Sequence, residues 1–554
     1  MSFKDKVIYQ AYTKSFNDTD GNGLGDIKGV TEKLPYLEKL GIDMVWLNPF
    51  YPSPQNDNGY DISDYTGVDP LYGTMEDVEE MIAEGEKHGI HFMFDLVLNH
   101  TSTEHEWFQK ALAGDKKYQD YYILRDAVEG QEYPTNWVSK FGGPAWQKFG
   151  ETDQYYLSLF DPTQADLNWR NPAVREEATK IVEFWMDKGV KGFRFDVINL
   201  IGKDEELVNA TGDIDQEKSL YTDKPIVHEY LQDLNRKTFG KDPEIITVGE
   251  MSSTSIESSI GYTHPDNDEL TMVFSFHHLK VDYPNKEKWT KAPFDFLELK
   301  QIMHDWQIGL GENGGWNALF WNNHDQPRTL TRFGNDGEYR EKAATAQGHV
   351  LHFMQGTPFV YMGEEIGMTD PHFTELDQYR DIESHNAFKE LLEKGKSEEE
   401  ALEILAAKSR DNGRTPMQWS ADKHAGFTTG TPWLQVADNY NEINVEKELE
   451  SGEIFPYYQK LIQLRKDHEI MRDGSYSSMF LDHEQVWAYR RELDGEEWIT
   501  FVNFYETPVS IDISSEVEGE NWNYLLGNYE EKKFSQTLEL APYEAVTFTK
   551  NNRV

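Results

Sequence analysis

The most informative stretch of the sequence is a short apolar run that carries one arginine and one aspartate, Gly192–Ile198 (GFRFDVI). Residues two apart in a strand point to the same face, so Arg194 and Asp196 are predicted to project together. A structural ion pair at a strand end would show the same pattern. Two further strand-like runs also end in an acid, at Glu250 and at Asp325. Three strands that deliver carboxylates at their carboxyl ends predict an active site.

The order of the elements predicts how these carboxylates are brought together. Strand-like runs alternate with amphipathic helical segments from Val7 to Gly363, which gives about eight strand–helix repeats. Such alternation is typical of parallel βαβ units, and the count favours an α/β fold of the (β/α)8 TIM-barrel type over a doubly wound sheet. In such barrels the active site lies at the carboxyl ends of the strands, where the acids fall.

Two segments depart from the alternation and predict additional domains. Residues 101–171 are rich in Trp, Tyr, Gly and Pro without clean periodicity, which indicates a subdomain inserted after strand 3. The catalytic barrel is then divided into residues 1–100 and 172–470. Short alternating segments over residues 471–554 predict a C-terminal antiparallel β-sandwich domain.

Composition excludes several classes of protein. The net charge of −46 disfavours nucleic acid or an acidic membrane as a partner, because both need a positive surface. The chain has no cysteine, and therefore neither disulfides nor a thiol nucleophile. No apolar run has membrane-spanning length, and the sequence starts without the apolar core of a signal peptide. We expect a cytoplasmic monomer whose partner is a small molecule, with acidity that serves solubility or adaptation to salt.

The loop Asp18–Asp26 (DTDGNGLGD) has the composition of a cation-binding loop. Acidic or amide oxygens at alternate positions, with glycines that permit tight turns, suit a hard cation. The predicted ligands are the side chains of Asp18, Asp20, Asn22 and Asp26 and the backbone carbonyl of Leu24. A bound Ca²⁺ or Mg²⁺ would be structural, and no cofactor is expected for catalysis. An Asp/Gly turn without metal is the alternative, since no bidentate Glu closes the loop as in an EF-hand.

Four separated motifs resemble those of the α-amylase family of glycoside hydrolases, and the resemblance spans essentially the whole chain. The motifs are DLVLNH (95–100), GFRFDVI (192–198), TVGE (247–250) and NNHD (322–325). The resemblance implies that Asp196 is the nucleophile of a retaining, exo-acting α-glucoside hydrolase and forms a β-glucosyl-enzyme intermediate. It implies that Glu250 is the general acid and later the base, and that Asp325 stabilises the distorted transition state.

The same resemblance implies a set of residues that bind the terminal glucose. Within the family the chain is similar to the oligo-1,6-glucosidase group, in which one arginine of the segment 409–419 reaches this sugar. Both histidines of the set have a buried core histidine as their alternative interpretation. The implied residues are Asp57, Tyr60, His100, Arg194, His324 and either Arg410 or Arg414, a choice that the sequence leaves open.

A basic cluster in this acidic chain follows Glu250 and precedes the NNHD motif. It contains His277, His278 and Lys280, with two further lysines at 286 and 288. Phosphate recognition needs positive charge and directional donors. We therefore hypothesise that Lys280, with His277 or His278, binds the 6-phosphate of the departing sugar. A solvated basic loop is the alternative.

A narrower resemblance favours the phosphate. Segments 249–254 (GEMSST) and 274–285 (FSFHHLKVDYPN) are similar to the subfamily that hydrolyses trehalose 6-phosphate. The implied reaction yields glucose and glucose 6-phosphate. The alternative is an oligo-1,6-glucosidase or dextran glucosidase that acts on neutral isomalto-oligosaccharides, and transfer of the glucosyl group to a sugar instead of water also stays open.

Overall fold

A computed structural model describes residues 3–251, 253–519 and 521–551 of the chain. Ser252 of the 249–254 motif, and residues 1–2, 520 and 552–554 of the predicted domains, lie outside the described residues. Eight parallel strands form the central sheet. They are β1 (Ile8–Ala11), β2 (Met44–Leu47), β3 (His91–Leu96), β4 (Gly192–Phe195), β5 (Ile246–Glu250), β6 (Met272–Phe274), β7 (Ala318–Phe320) and β8 (Thr357–Tyr361).

The sheet closes into a barrel. The strand order is β6-β5-β4-β3-β2-β1-β8-β7, and a parallel bridge from Val273 in β6 to Asn317 beside β7 joins the two ends. The predicted (β/α)8 barrel is thereby confirmed and the doubly wound sheet is wrong. In the register of β3 and β4, Arg194 lies opposite Asp95, so the acid of one motif and the arginine of another are neighbours across two strands.

Helices surround the barrel because their apolar faces cover the strands. The helix Met75–Lys87 begins with a capping box between Thr74 and Asp77, which satisfies backbone donors of its first turn. No helix within the described residues is long and apolar enough to cross a membrane. The longer helices are Met75–Lys87, Pro172–Asp187, Ile226–Lys237, Ile256–Thr263, Phe296–Gly311, Arg340–His352, Ile382–Glu393, Glu398–Lys408 and Ile454–Asp467.

A small β-rich unit follows β3, in the part of the chain for which an inserted subdomain is predicted. His100–Ser102 pairs with Gln164–Asp166, and a three-stranded antiparallel sheet joins Leu124–Asp126, Gln154–Leu157 and Trp146–Lys148. Its core of Trp137, Trp146, Leu157 and Leu159 also contains Val197 from the end of β4. The unit is therefore packed directly on the carboxyl-terminal edge of the barrel.

The end of the chain forms an antiparallel domain of two packed sheets. The larger sheet contains Ser475–Met479, Val486–Leu493, Glu496–Asn503, Ala545–Asn551 and Asn523–Gly527, and the smaller one contains Val509–Asp512 and Thr537–Leu540. Successive residues of a strand point to opposite faces of its sheet. Val486 and Ala488 contribute to the core between the sheets, whereas Trp487 and Tyr489 pack against the barrel. The predicted β-sandwich domain is confirmed.

One buried ammonium joins this domain to the barrel. Lys300, on the helix Phe296–Gly311, is 1% exposed. Its Nζ donates to the carbonyl oxygens of Phe480, His483 and Val486 at 3.0, 2.6 and 3.0 Å. These three hydrogen bonds compensate for the cost of removing the ammonium and the carbonyl groups from water.

Replacing Lys300 with methionine should destabilise the protein by about 1–3 kcal/mol, because the three carbonyls lose their donor while the apolar stem is kept. Thermal unfolding followed by circular dichroism would show a lower midpoint. Lys291→Met, at an exposed lysine, is the matched control and should leave the midpoint unchanged. Equal midpoints for both variants would contradict the interdomain role.

Candidate active site

The three predicted carboxylates meet in one pocket at the carboxyl ends of the strands. Asp196 directly follows β4, Glu250 ends β5, and Asp325 lies five residues beyond the end of β7. The pocket has a volume of about 70 Å³ and is lined by Asp57, Tyr60, His100, Phe141, Phe160, Asp196, Val197, Glu250, His324, Asp325 and Arg410. Residues from four sequence motifs and from the inserted unit are thus combined in one small cavity.

Arg194 is the common partner of the acids at the base of the pocket. It is 1% exposed, and its Nη1 donates to Asp95 Oδ1 at 2.8 Å and to Asp196 Oδ1 at 2.6 Å. Its Nη2 donates to Glu250. Burial would lower the pKa of this guanidinium, but the surrounding carboxylates hold it well above its ordinary value. Arg194 is therefore a permanent cation that contacts both Asp196 and Glu250 and holds their carboxylates beside it.

Asp95 supports the site from behind. Its second oxygen accepts hydrogen bonds from Tyr60 Oη at 2.8 Å and Trp46 Nε1 at 3.2 Å, so all its contacts are to protein groups that shape the pocket. Burial raises its pKa to about 7, against the opposing charge of Arg194. Asp95 does not line the pocket, in keeping with a supporting role rather than a reacting one.

The pKa values of Glu250 and Asp325 are shifted in opposite directions from their ordinary values. Burial raises the pKa of Glu250 well above its ordinary value, and the charges of Asp196 and Asp325 add to this increase, whereas Arg194 opposes it. For Asp325, burial also opposes ionisation, but the contact with His324 and the charges of Arg410 and Arg414 hold its pKa below the ordinary value. The pocket can therefore hold one carboxylic acid and one carboxylate near neutral pH.

Both predicted histidines are buried parts of the pocket wall. His324 Nδ1 lies 2.9 Å from the amide nitrogen of Gln10, and its Nε2 lies 3.2 Å from Asp325 Oδ2. The amide nitrogen can only donate, so the proton of the neutral ring lies on Nε2 and points to Asp325. Burial lowers the pKa of His324 well below its ordinary value. His100 Nε2 is 3.1 Å from the carbonyl oxygen of Tyr60.

The structure distinguishes the two arginines that the sequence leaves open. Arg410 lines the pocket and contacts Asp57 and Asp325, each at 3.3 Å. Arg414 lies behind it, where it donates to the carbonyl oxygen of His324 at 2.6 Å and to Asp325 at 3.0 Å. Burial raises the pKa of Asp57 to about 7, with Arg410 opposing. Arg410 is therefore the arginine placed to reach a bound ligand.

Sequence reasoning missed several residues of the pocket. Phe141 and Phe160 come from irregular parts of the inserted unit, and Arg410 lies 5.0 Å above the ring of Phe141. Asp381 holds Arg410 through contacts of 2.5 and 3.0 Å. Asp381 is the N-cap residue of the helix Ile382–Glu393. An acid at a predicted helix start is the one sequence signal that could have identified it. No periodicity identifies the two phenylalanines.

The backbone after Asp196 has an unusual conformation. Val197 has φ +37° and ψ +40°, a left-handed conformation that is strained for a β-branched residue. The sharp turn allows the Val197 side chain to pack in the core of the inserted unit while the residue also lines the pocket. Strain of this kind is found where the surrounding structure fixes a functional residue.

A second cavity, of about 700 Å³, contains most of the predicted basic cluster. Its lining includes His277, Lys280, Lys286 and Lys288, together with Lys218, which sequence reasoning missed. Among the described residues, neither Lys218 nor Lys280 forms an ion pair with an acid. The acids of the lining are Asp223, which accepts from Asn199 and Tyr262 at 2.9 and 3.0 Å, and Glu298. We name this space the basic cavity.

Lys280 lines this cavity and is exposed to solvent there, although many protein atoms surround its ammonium group. Burial, together with the charges of Lys218 and Lys288, lowers the pKa of its ammonium to about 8. Burial and the same kind of repulsion lower the pKa of His277 to about 4. These cationic side chains give the cavity a local positive charge within a strongly acidic chain.

The structure does not bring His278 into the basic cavity. Its side chain is 5% exposed, and Nε2 donates to the carbonyl oxygen of Phe320 at 2.9 Å. His277 and His278 lie on one short 3₁₀ turn, and consecutive residues of such a turn point in different directions. Burial and the charge of Lys280 lower the pKa of Lys140, a residue of the inserted unit, whereas the charge of Glu250 raises it. Lys140 is therefore within electrostatic range of both cavities.

The loop 18–26 brings three of its predicted cation ligands together. Oxygen atoms of Asp18, Asp20 and Asp26 lie within 4.8 Å of one another. Asp18 also accepts from Gly21 N and Gly23 N, each at 2.8 Å. The Asn22 side-chain oxygen accepts from Leu24 N at 2.7 Å. Three converging carboxylates with no cationic side chain among the described residues of the loop fit a hard divalent cation.

Comparison with known proteins identifies the family. The description "Alpha amylase, catalytic domain" matches residues 10–474, and "Maltogenic Amylase, C-terminal domain" matches residues 477–546. The chain therefore belongs to the α-amylase family and is a glycoside hydrolase. The family resemblance stated from the motifs is confirmed.

Individual relatives narrow this class. The chain is 51% identical over 551 residues to a trehalose-6-phosphate hydrolase of Bacillus subtilis (strain 168), covering 99% of this chain and 98% of the relative. It is 44% identical over 554 residues to an oligo-1,6-glucosidase of Bacillus cereus, covering 99% of each. The crystal structure of a Bacillus licheniformis trehalose-6-phosphate hydrolase superposes with a TM-score of 0.94 at 49% identity, covering 99% of each chain.

Proposed function

We propose that this protein hydrolyses trehalose 6-phosphate to glucose and glucose 6-phosphate with retention at the anomeric carbon. The basic cavity carries this proposal, because Lys218 and Lys280 line it without an acidic partner among the described residues. Glu383 joins Lys288 of this cavity to Arg410 of the catalytic pocket, which supports a connection between the two. The relatives with about 50% identity that are named trehalose-6-phosphate hydrolases support it. The oligo-1,6-glucosidase relatives make hydrolysis of neutral isomalto-oligosaccharides the alternative.

In the proposed mechanism Asp196 attacks the anomeric carbon of the terminal glucose while Glu250 gives its proton to the departing oxygen. The raised pKa of Glu250 keeps this proton available, and the hydrogen bond from Arg194 holds the Asp196 carboxylate in place. The covalent β-glucosyl-enzyme is then hydrolysed by a water whose proton Glu250 accepts. Asp325, held as a carboxylate, stabilises the positive charge that develops on the sugar ring.

Sugar binding is proposed for the remaining residues of the pocket. Asp57 and Arg410 close the far end and bind the outer hydroxyls of the glucose, so cleavage is restricted to the chain end. Tyr60 provides a ring against the sugar, with its hydroxyl held by Asp95 at 2.8 Å. His100 and His324 complete the wall. Arg414 acts through Asp325 and His324 rather than by direct contact.

The departing sugar is proposed to place its phosphate in the basic cavity. Lys280 and Lys288 supply charge, His277 lies beside them, and Lys218 extends the cluster. The Ser255 side chain caps the helix Ile256–Thr263, whose N-terminus also favours an anion. His278, which bonds to Phe320, is proposed to support this wall from the core.

Three further proposals concern the protein as a whole. The loop 18–26 is proposed to bind Ca²⁺ or Mg²⁺ as a structural cation, supported by its three convergent carboxylates. A monomer is proposed as the active form. A cytoplasmic location is proposed, supported by the complete lack of cysteine.

Lys280→Ala should lower kcat/KM for trehalose 6-phosphate by about 10- to 100-fold, because a charge-assisted contact to phosphate contributes about 1.5–3 kcal/mol. Hydrolysis of an aryl α-glucoside should be nearly unchanged. Lys291→Ala, at an exposed lysine beyond the cavity lining, is the matched control. Equal losses on both substrates would contradict the phosphate role, and a wild-type preference for isomaltose over trehalose 6-phosphate would favour the alternative function.

Glu250→Gln should lower activity on trehalose 6-phosphate by about 10²- to 10⁴-fold, because the leaving sugar needs a proton. The loss should be smaller for α-glucosyl fluoride, whose leaving group needs little protonation. In the wild type, kcat/KM for trehalose 6-phosphate should fall toward alkaline pH as Glu250, whose pKa is raised, loses its proton. An identical loss on both substrates would argue against Glu250 as the acid.

Removing divalent cations with a chelator should lower the thermal midpoint, and Ca²⁺ or Mg²⁺ should restore it. At about 100 times its Kd a cation adds about 2.7 kcal/mol to the free energy of unfolding. Asp20→Asn, at an exposed predicted ligand of the loop, should reduce this response while the fold is kept. A midpoint that is indifferent to chelator and to both ions would show an Asp/Gly turn without metal.

A further inference from the structure

The carboxylate of Glu383 lies between the catalytic pocket and the basic cavity. Lys288 Nζ donates to both of its oxygens at 2.8 Å, and Arg410 Nε lies 3.3 Å from Oε2. Lys288 lines the basic cavity and Arg410 lines the catalytic pocket. One carboxylate therefore directly connects a cation of each cavity.

The helix start around Glu383 is rigidly held. Glu383 is in the first turn of the helix Ile382–Glu393, where the helix dipole favours an anion. The backbone nitrogens of Arg380 and Asp381 donate to Asp411 Oδ2 at 2.6 and 2.8 Å. The Glu383 side chain is 14% exposed, so its interactions are only weakly screened by solvent. A change in its electrostatic surroundings acts mainly on its two cationic neighbours.

Arg410 makes shorter contacts with Asp381 than with Asp57 and Asp325, the two acids that line the catalytic pocket. Its contacts with Asp381 are 2.5 and 3.0 Å, whereas those with Asp57 and Asp325 are 3.3 Å. Charge-assisted hydrogen bonds are usually about 2.7–2.9 Å long. Burial would lower the pKa of Arg410, but Asp381, Asp57 and Glu383 hold it well above its ordinary value. The position of this guanidinium on the pocket side therefore depends on the balance among its counter-charges.

We propose that Glu383 is a positioning residue that couples occupancy of the basic cavity to Arg410 in the catalytic pocket. The proposal rests on the proposed function, in which a phosphate binds beside Lys288. A phosphate that shares the Lys288 ammonium leaves more of the Glu383 charge for Arg410. Arg410 is then fixed between Asp57 and Asp325, where the terminal glucose binds. Part of the binding energy of the distant phosphate is thereby used to position Arg410 at the reacting sugar.

Inorganic phosphate and α-glucosyl fluoride separate this coupling from ordinary substrate binding. The fluoride leaving group does not occupy the position of the departing sugar, so phosphate in the basic cavity does not compete with it. Saturating phosphate should raise kcat/KM for α-glucosyl fluoride by about fivefold in the wild type, the lower end of usual coupling between sites. Titration calorimetry of the same samples measures phosphate binding.

Three variants identify Glu383 as the link. Glu383→Gln should keep phosphate binding and lose the rise in kcat/KM, whereas Glu383→Asp should keep a smaller rise. Glu403→Gln is the matched control, because Glu403 lies on the adjoining helix Glu398–Lys408 and pairs with Lys291 at 3.0 Å without contacting either cavity. It should keep the full rise.

The outcomes distinguish the coupling from the phosphate site itself. Phosphate that binds without raising kcat/KM in the wild type, or a rise that persists in Glu383→Gln, would overturn the coupling and leave the phosphate site standing. A lack of saturable phosphate binding to the wild type would overturn both. A lower kcat in Glu383→Gln with an unchanged response to phosphate would show a purely structural role.

Discussion

The catalytic end of the barrel depends on one buried cation placed among three carboxylates. Without Arg194, the side chains of Asp95, Asp196 and Glu250 would bring up to three negative charges together in a space that excludes water. Taking an unpaired charge out of water costs several kcal/mol, so the acids would respond by binding protons or moving apart. The parallel register that puts Arg194 beside Asp95 allows the acids at the ends of β3, β4 and β5 to share this one cation.

Charge is distributed unevenly around this centre. The chain as a whole carries a net charge of −46, yet lysines face one cavity next to the acidic pocket. Global acidity cannot attract an anionic ligand, so recognition there depends on short-range contacts in a partly enclosed space, where water screens charge less. A carboxylate such as Glu383 has a double effect in this setting. It lowers the repulsion among nearby cations and connects their positions.

The sequence was sufficient to predict the barrel and the C-terminal β-domain. It also predicted that Asp196, Glu250 and Asp325 would meet, because each lies at or shortly after the end of a strand and strand ends meet in this fold. The sequence could not predict the positions of side chains that depend on tertiary contacts. Arg410 and Arg414 are four residues apart in one segment, and only the packing of Asp381 and Asp325 separates their roles. His277 and His278 are adjacent, and the turn that contains them decides which one is buried. Phe141 and Phe160 come from segments without periodicity, and Glu383 meets Lys288 across 95 residues of chain.

The left-handed backbone at Val197 has an evolutionary consequence. A β-branched residue in this conformation costs about 1–3 kcal/mol, which glycine would largely avoid. Relief of backbone strain alone would therefore favour glycine or asparagine there. Such a change would also remove the side chain that anchors the turn in the core around Trp137 and Trp146, and with it the fixed direction of the neighbouring carboxylate. Backbone strain at this single position is thus tolerated because core packing and the direction of a reacting group both depend on the same side chain.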